Sequence, residues 1–323
     1  MNKNTKDTRK IYRKKNKTIR NKKNIKMNCN PTVKNKTISS NTCYTKNALI
    51  QLKEQYNKHH SDKITATTSK KIWNSLRQKL DHCSKEDCWL DEIKEPKLRQ
   101  QLDDILFSPD RPNSWDKNPV SWLSNYDIGA VLKQYETAYP EFKLLGPSAI
   151  DYDVKPQGEN DKCVWNDLCR LSLQNLYNRG KRKLGIVFNL DKHDEPGSHW
   201  VSLFVDLDES LIFYYDSAMN AVPRQVSKLK REIIKQGKNL ETPIHFKYMQ
   251  NEYSHQNTNT ECGMYCLFFN ITFLTKHLEL QDNELMIGGK KKLSTNDVIK
   301  IFTKPGINDN LMIDYRNKYF NKK

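Results

Sequence analysis

Residues 262–274 read CGMYCLFFNITFL, an apolar stretch relieved only by Asn270 and Thr272 among its larger side chains. As a helix it is hydrophobic on every face, and such a helix must be buried all round. It is too short to cross a bilayer, which takes about 20 apolar residues. The rest of the chain must therefore wrap it. Three nearby runs can do so: 184–190 (LGIVFNL), 200–206 (WVSLFVD) and 211–216 (LIFYYD). Each reads as a buried strand, and the short gap 207–210 suits a hairpin turn. A helix is expected from Pro223 through Val226, Leu229 and Ile233 to Gly237, with a strand after it over 244–249. The fold class is therefore α+β, with a central mixed or antiparallel sheet flanked by helices.

The N-terminal half reads differently. Leu49, Leu52 and Tyr56 fall at helical spacing after Thr45; Ser69 opens a second helix carrying Ile72, Trp73, Leu76 and Leu80; a charged helix is expected near 96–106. These helices hold no set of groups able to do chemistry. Pro109, Pro112 and Pro119 mark an irregular linker. Ser124 or Asn125 then caps a helix through Val131, Leu132 and Tyr135. After Gly146-Pro147 a further helix is predicted, with Trp165, Leu168, Cys169 and Leu176 on one face. The expected organisation is a disordered basic tail over 1–41, a helical accessory region over 42–107, and the chemically competent domain over 108–323.

The net charge of +17 is concentrated at one end. Residues 1–40 hold 14 Lys/Arg and the single acid Asp7, leaving only +4 for the remainder. Such a segment cannot bury enough apolar surface to order itself. It suits sequence-independent contact with nucleic acid or another acidic surface through phosphate pairing, although with Tyr12 as its one aromatic it is no stacking platform. The charged N-terminus has no apolar core of a secretory signal, so the chain is expected not to be secreted, and no membrane contact is expected.

The eight cysteines are Cys29, Cys43, Cys83, Cys88, Cys163, Cys169, Cys262 and Cys266. Without a signal, disulfides are not expected. None is spaced C-x-x-C; His82, Cys83 and Cys88 with His59 and His60 form the one candidate metal cluster, but ordinary thiols are the expectation. No cofactor and no metal are assigned.

Cys262 differs from the other thiols in its setting. The polar stretch 256–261 precedes it and the apolar helix begins at it. A helix N-terminus favours a thiolate, and a neighbouring imidazole completes the activation. His199 stands at a loop-to-strand junction, where an imidazole is held rigidly yet faces a cleft. Asp216 ends the next strand, and antiparallel pairing brings the two together across 17 positions. A carboxylate there would fix the tautomer of the imidazole and stabilise its cation. Gln256 and the backbone N–H of Cys262 can serve a developing oxyanion. Trp200 can wall the cleft, and Gly263 allows close approach of a substrate backbone. His255 is the rival base, and Asp153 and Asp206 are the rival carboxylates; Cys266, His193 and His245 read as packing or surface residues.

The ordered set His199-Trp200, Tyr215-Asp216-Ser217 and Gln256-x5-Cys262-Gly263 resembles the ubiquitin-like-protein (SUMO)-specific and adenovirus-type cysteine protease superfamily, over roughly residues 118–275. Trp122-Leu123-Ser124-Asn125 looks like the helix start of that family. The resemblance implies a peptide or isopeptide hydrolase with a His–Asp–Cys triad, a Gln in the oxyanion site and a polypeptide substrate with a glycine end threaded past the Trp. Ile72-Trp73, Leu80, Cys83, Cys88-Trp89-Leu90 and Gln134-Tyr135-Glu136 are similar to the proteases of nucleocytoplasmic large DNA viruses, above all the thiol proteases of giant amoebal viruses. That narrower likeness implies cleavage of viral structural polyproteins after Gly-Gly during maturation, in the virion or the host cytoplasm. A deubiquitinating or deSUMOylating isopeptidase and a non-enzymatic packaging protein are the alternatives. Glu261 departs from the Asp that many members have before the cysteine. Gly288-Gly289 reads as a turn and, secondarily, as a self-cleavage site.

Overall fold

A computed structural model of the chain describes residues 27–158, 161–278 and 292–322. At its centre is a five-stranded mixed sheet in the order β1 (Phe142–Ala149), β2 (Lys183–Asn189), β3 (Trp200–Asp206), β4 (Leu211–Tyr215), β5 (Lys247–Gln250). The inner hairpins β2–β3 and β3–β4 are antiparallel; the outer strands β1 and β5 run parallel to their neighbours. All seven residues of β3 are buried, because helices cover both faces of the sheet.

On one face lies helix α8 (Cys262–Thr275), with every residue up to Leu274 buried. Phe269 and Phe273 pack on Phe204 and Phe213 of the sheet. Burying a ring of this size contributes about 2–3 kcal/mol, so the apolar stretch read from the sequence anchors this half of the molecule. Approach is close at Gly185, where a Cβ would meet Phe142 and Asn270 at 2.6 Å. The same core takes in α4 (Asn125–Ala138), α9 (Thr295–Thr303) and α10 (Asp309–Tyr319). The opposite face carries α6 (Leu173–Asn178) and α7 (Arg224–Lys238). Helix α4 begins with a full capping box between Ser124 and Asp127, a local reason for its start.

A separate hydrophobic cluster joins α1 (Lys46–His59), α2 (Ser69–Lys79) and α3 (Pro96–Leu106) around Tyr44, Leu52, Leu76 and Trp89. Two expectations fail here. Residues 27–41 are not a tail: Met27 and Val33 are buried in this cluster, and the Asn30 N–H donates to the Leu106 carbonyl at 3.0 Å. Apolar contacts too sparse to show in a Lys/Asn-rich stretch become effective once α3 is beside them. The cysteines are not all thiols either. Cys29–Cys43, Cys83–Cys88 and Cys163–Cys169 are disulfides, and Cys262 and Cys266 alone are free. Compartment arguments do not register that the fold brings these pairs together.

The segment around Gly146-Pro147 continues as strand β1 to Ala149, with a register shift between Leu145 and Ser148 absorbing the interruption. The helix predicted beyond it is two short ones, α5 (Asn166–Cys169) and α6, because the Ser172 hydroxyl accepts from the Asn175 N–H and starts a new helix. Helix α10 was not anticipated, although Asn308 caps it and Leu311, Met312, Tyr315 and Tyr319 have the spacing of its buried face. The basic residues 1–26 and the Gly288-Gly289 pair lie outside the described residues. Among the described residues, no helix is long and apolar enough to cross a membrane.

Candidate active site

The strand register decides the site. Ser202 of β3 pairs with Tyr215 of β4, so the start of β3 and the end of β4 share one edge of the sheet. His199, just before β3, and Asp216, just after β4, meet there: His199 Nε2 lies 2.6 Å from Asp216 Oδ1. A carboxylate only accepts, so Nε2 carries the proton and Nδ1 is the nitrogen left for the sulfur of Cys262, the first residue of α8. The Leu190 N–H donates to the His199 carbonyl at 2.9 Å, and the preceding loop is braced by Asp191, which accepts from the Gly197 N–H at 3.0 Å.

Electrostatics follow the geometry. Burial alone would lower the pKa of His199, but the hydrogen bond and charge of Asp216 and the contact with Cys262 overcome it and raise the value to about 9. Burial would raise that of Asp216, yet His199, the Ala218 N–H and the Asn220 side chain hold it below the usual carboxylate range. Asp216 Oδ2 accepts from both the backbone N–H and the side-chain amide of Asn220, at 3.0 and 3.1 Å. The pair is therefore set as imidazolium and carboxylate at neutral pH.

Gln256 is held at both ends. Its Oε1 accepts from the Ser217 hydroxyl at 2.6 Å and its Nε2 donates to the Thr258 carbonyl at 2.6 Å. A carbonyl cannot donate, so the amide orientation is fixed and one Nε2 hydrogen is committed to Thr258. Trp200 is 7% exposed, and its indole N–H donates to the Leu123 carbonyl at 3.0 Å. It forms part of a groove of about 430 Å³ whose lining includes Trp122, Pro147, Asn189 and His193. Trp122 stands 42% exposed at this groove. Gly263 also serves the packing of the protein itself. A Cβ there would meet Leu123 Cβ at 3.1 Å and Ile128 Cδ1 at 3.3 Å, so its missing side chain makes room for the protein's own chain at the start of α4.

The rivals have other partners. His255 is buried between the Tyr215 hydroxyl and the Lys304 carbonyl, and burial lowers its pKa. Asp153 pairs with Lys228, and Asp206 accepts from the Glu209 N–H. Burial pushes the Cys266 thiol far up, which suits packing. His193, read as a packing or surface residue, bonds Asp151 at 2.7 Å. Of the candidate metal residues, His82, Cys83 and Cys88 cluster within 4.8 Å, whereas His60 is taken by Glu92 at 2.7 Å. With the two sulfurs joined as a disulfide, that cluster offers no thiolate. Asn220 and Asn251, which orient Asp216, were not singled out from the sequence; an Asn is too common in this chain to stand out.

The chain is similar to known cysteine proteases. Residues 182–315 match the family model of the Ulp1 protease family, C-terminal catalytic domain. A protein of Acanthamoeba polyphaga mimivirus named as a thiol protease is 29% identical over 258 residues, covering 73% of this chain and 81% of its own length. A cysteine protease of African swine fever virus is 27% identical over 163 residues, which are 47% of this chain and 58% of that protein. The crystal structure of an African swine fever virus protease superposes with a TM-score of 0.59 at 19% identity, over 92% of this chain and 96% of the other; it has the same fold.

Proposed function

We propose that this chain, whose residues 182–315 match the Ulp1 protease family model, is an endopeptidase cutting after glycine, at Gly-Gly-X-like sites, in viral structural or core polyproteins during virion maturation. The observation supporting this reading is the assembly of His199 with Asp216 and Cys262, next in the chain to Trp200, which lines a groove with Trp122. A backbone lying against an aromatic wall comes nearest the thiol when it carries no side chain, which favours glycine before the scissile bond.

In the proposed mechanism the Cys262 sulfur forms a bond to the glycine carbonyl carbon. The oxygen takes up the electron pair and is met by the Cys262 N–H and the free Nε2 hydrogen of Gln256. His199 gives its Nδ1 proton to the leaving amine as the C–N bond breaks. It then takes a proton from water, whose oxygen attacks the thioester and releases Cys262. Asp216 keeps the ring oriented throughout.

Cleavage of a peptide library by the purified enzyme, with Cys262→Ala as blank, tests the specificity. Enrichment of glycine before the cut supports it; cleavage without glycine preference rejects it. Incubation with viral structural precursors and with ubiquitin-like conjugates decides the substrate: hydrolysis of the conjugates alone would favour the isopeptidase reading, and action in the virion or viral factory would then lose its basis. The basic N-terminal residues are proposed to hold nucleic acid by charge. Removing residues 1–26 should abolish salt-dependent DNA binding and leave peptide hydrolysis intact.

A further inference from the structure

Helix α10 reaches the loop that carries the nucleophile from both sides. At its first turn the Asp309 carboxylate accepts from the N–H groups of Asn257 and Thr258, at 3.0 and 2.8 Å, and from the Tyr265 hydroxyl at 3.1 Å. Two turns on, Arg316 makes a fork to Glu261, the residue before Cys262: Nε to Oε2 at 2.8 Å and Nη2 to Oε1 at 2.9 Å. Glu261 is 1% and Arg316 3% exposed. The rest of the guanidinium donates to the carbonyls of Ser121 at 3.0 Å and of Pro119 and Val120 at 3.3 Å, and lies 4.3 Å over the Trp115 ring.

A buried ion pair is a poor device for stability alone, since apolar residues of the same volume do as well or better. Its worth is geometric, because a planar fork fixes a carboxylate in both position and direction. Here that direction passes into the backbone at the nucleophile. The carbonyls gathered by Arg316 belong to the segment leading to Leu123, whose own carbonyl holds the Trp200 indole and whose side chain packs on Gly263. One guanidinium thus ties the nucleophile loop to the stretch of chain that leads into the groove lining at Trp122 and Leu123, while Asp309 fixes the other end of the loop next to Gln256.

We infer that Arg316, through Glu261 and with Asp309, is a positioning residue that sets Cys262 against His199 and against the groove. This rests on the reading of Cys262 as nucleophile. It accounts for the Glu at 261: the carboxylate must extend to the fork offered by α10.

The test uses the full chain with Arg316→Lys, Asp309→Asn and the double variant Glu261→Gln/Arg316→Met, which leaves no charge buried alone. Each variant is checked for a cooperative melt. Two rates are then measured: alkylation of Cys262 by iodoacetamide, located by mass spectrometry, and kcat and KM on a Gly-Gly peptide. A displacement of the reacting atoms by about 1 Å costs about 100-fold in rate, so the double variant should lose about 100-fold in kcat with KM nearly unchanged, and alkylation should slow by about tenfold. Arg316→Lys, which keeps the charge and loses the fork, should fall between wild type and the double variant. A folded double variant with wild-type kcat and alkylation rate overturns the inference. If the double variant does not fold, Arg316→Lys and Asp309→Asn decide: wild-type rates in both, with cooperative melts, overturn it equally. Alkylation needs no substrate, so it decides this point even if the wild-type enzyme leaves the Gly-Gly peptide uncut.

Discussion

Asn251 pairs with Asp216 as another strand would: its Oδ1 accepts from the Asp216 N–H at 3.1 Å and its Nδ2 donates to the Asp216 carbonyl at 2.7 Å. Backbone pairing between β4 and β5 ends at Tyr214 and Gln250, and the side chain of the residue just after β5 extends the ladder to the backbone of Asp216. Both partners are buried. Replacing Asn251 by Ala strands the Asp216 N–H away from water, at about 1–3 kcal/mol, while the Asp216 carbonyl keeps the Met219 N–H at 2.9 Å. Urea denaturation should show a loss of about 1–3 kcal/mol, and kcat should fall with it as Asp216 loses its register. Wild-type stability and kcat in Asn251→Ala would show that Asp216 keeps its place without this side chain.

The raised pKa of His199 ties stability to pH. The folded value is about 9 and the unfolded value about 6.5. The imidazolium with its partners therefore contributes its full stability below about pH 6.5 and loses it as the pH rises through about 9. Asp216 has the opposite sign: its folded value is depressed, so its contribution is present above the ordinary carboxylate range and lost in acid. The melting temperature of wild type minus that of His199→Gln should be largest near about pH 5–6 and shrink towards about pH 10. A difference that is flat or grows with pH contradicts the pairing.

Gly263 offers a test of packing against substrate contact. In Gly263→Ala the new methyl presses on Leu123 and Ile128, and overpacking of this kind costs about 1–3 kcal/mol. A compensating Leu123→Ala should recover part of the stability lost in thermal melts. If Gly263→Ala melts as wild type but raises KM sharply, the glycine serves the substrate and not the helix.

Three disulfides leave two free thiols. Thiol titration of the purified, non-reduced protein in guanidinium should count two, and eight after reduction. Cys29–Cys43 closes a loop of 14 residues, for which chain-entropy arguments give about 3 kcal/mol. Cys29→Ser/Cys43→Ser should therefore lose about that much in a denaturant titration, with the cluster around Tyr44 and Trp89 affected first. A count of eight without reductant refutes the pairing.

What the sequence determined by itself was whatever rests on local pattern. The wholly apolar 262–274 stretch demanded a buried helix. The apolar runs at 200–206 and 211–216 demanded adjacent strands, and once these are antiparallel His199 and Asp216 must share an edge. Helix starts at Ser124 and Pro96 are local hydrogen-bond and φ preferences, and they stood in plain view. Tertiary structure alone decided what depends on partners distant along the chain. Strand β1 is stabilised by its pairing with β2, beyond two intervening helices, which outweighs the Gly-Pro interruption within it. Residues 27–41 order because α3 and Cys43 are there to receive them. Arg316 was one basic residue among 55 in the sequence. Its link to the nucleophile exists because α10 packs on α8 and a guanidinium buried there must find Glu261, and no spacing along the chain encodes a pairing across 55 positions.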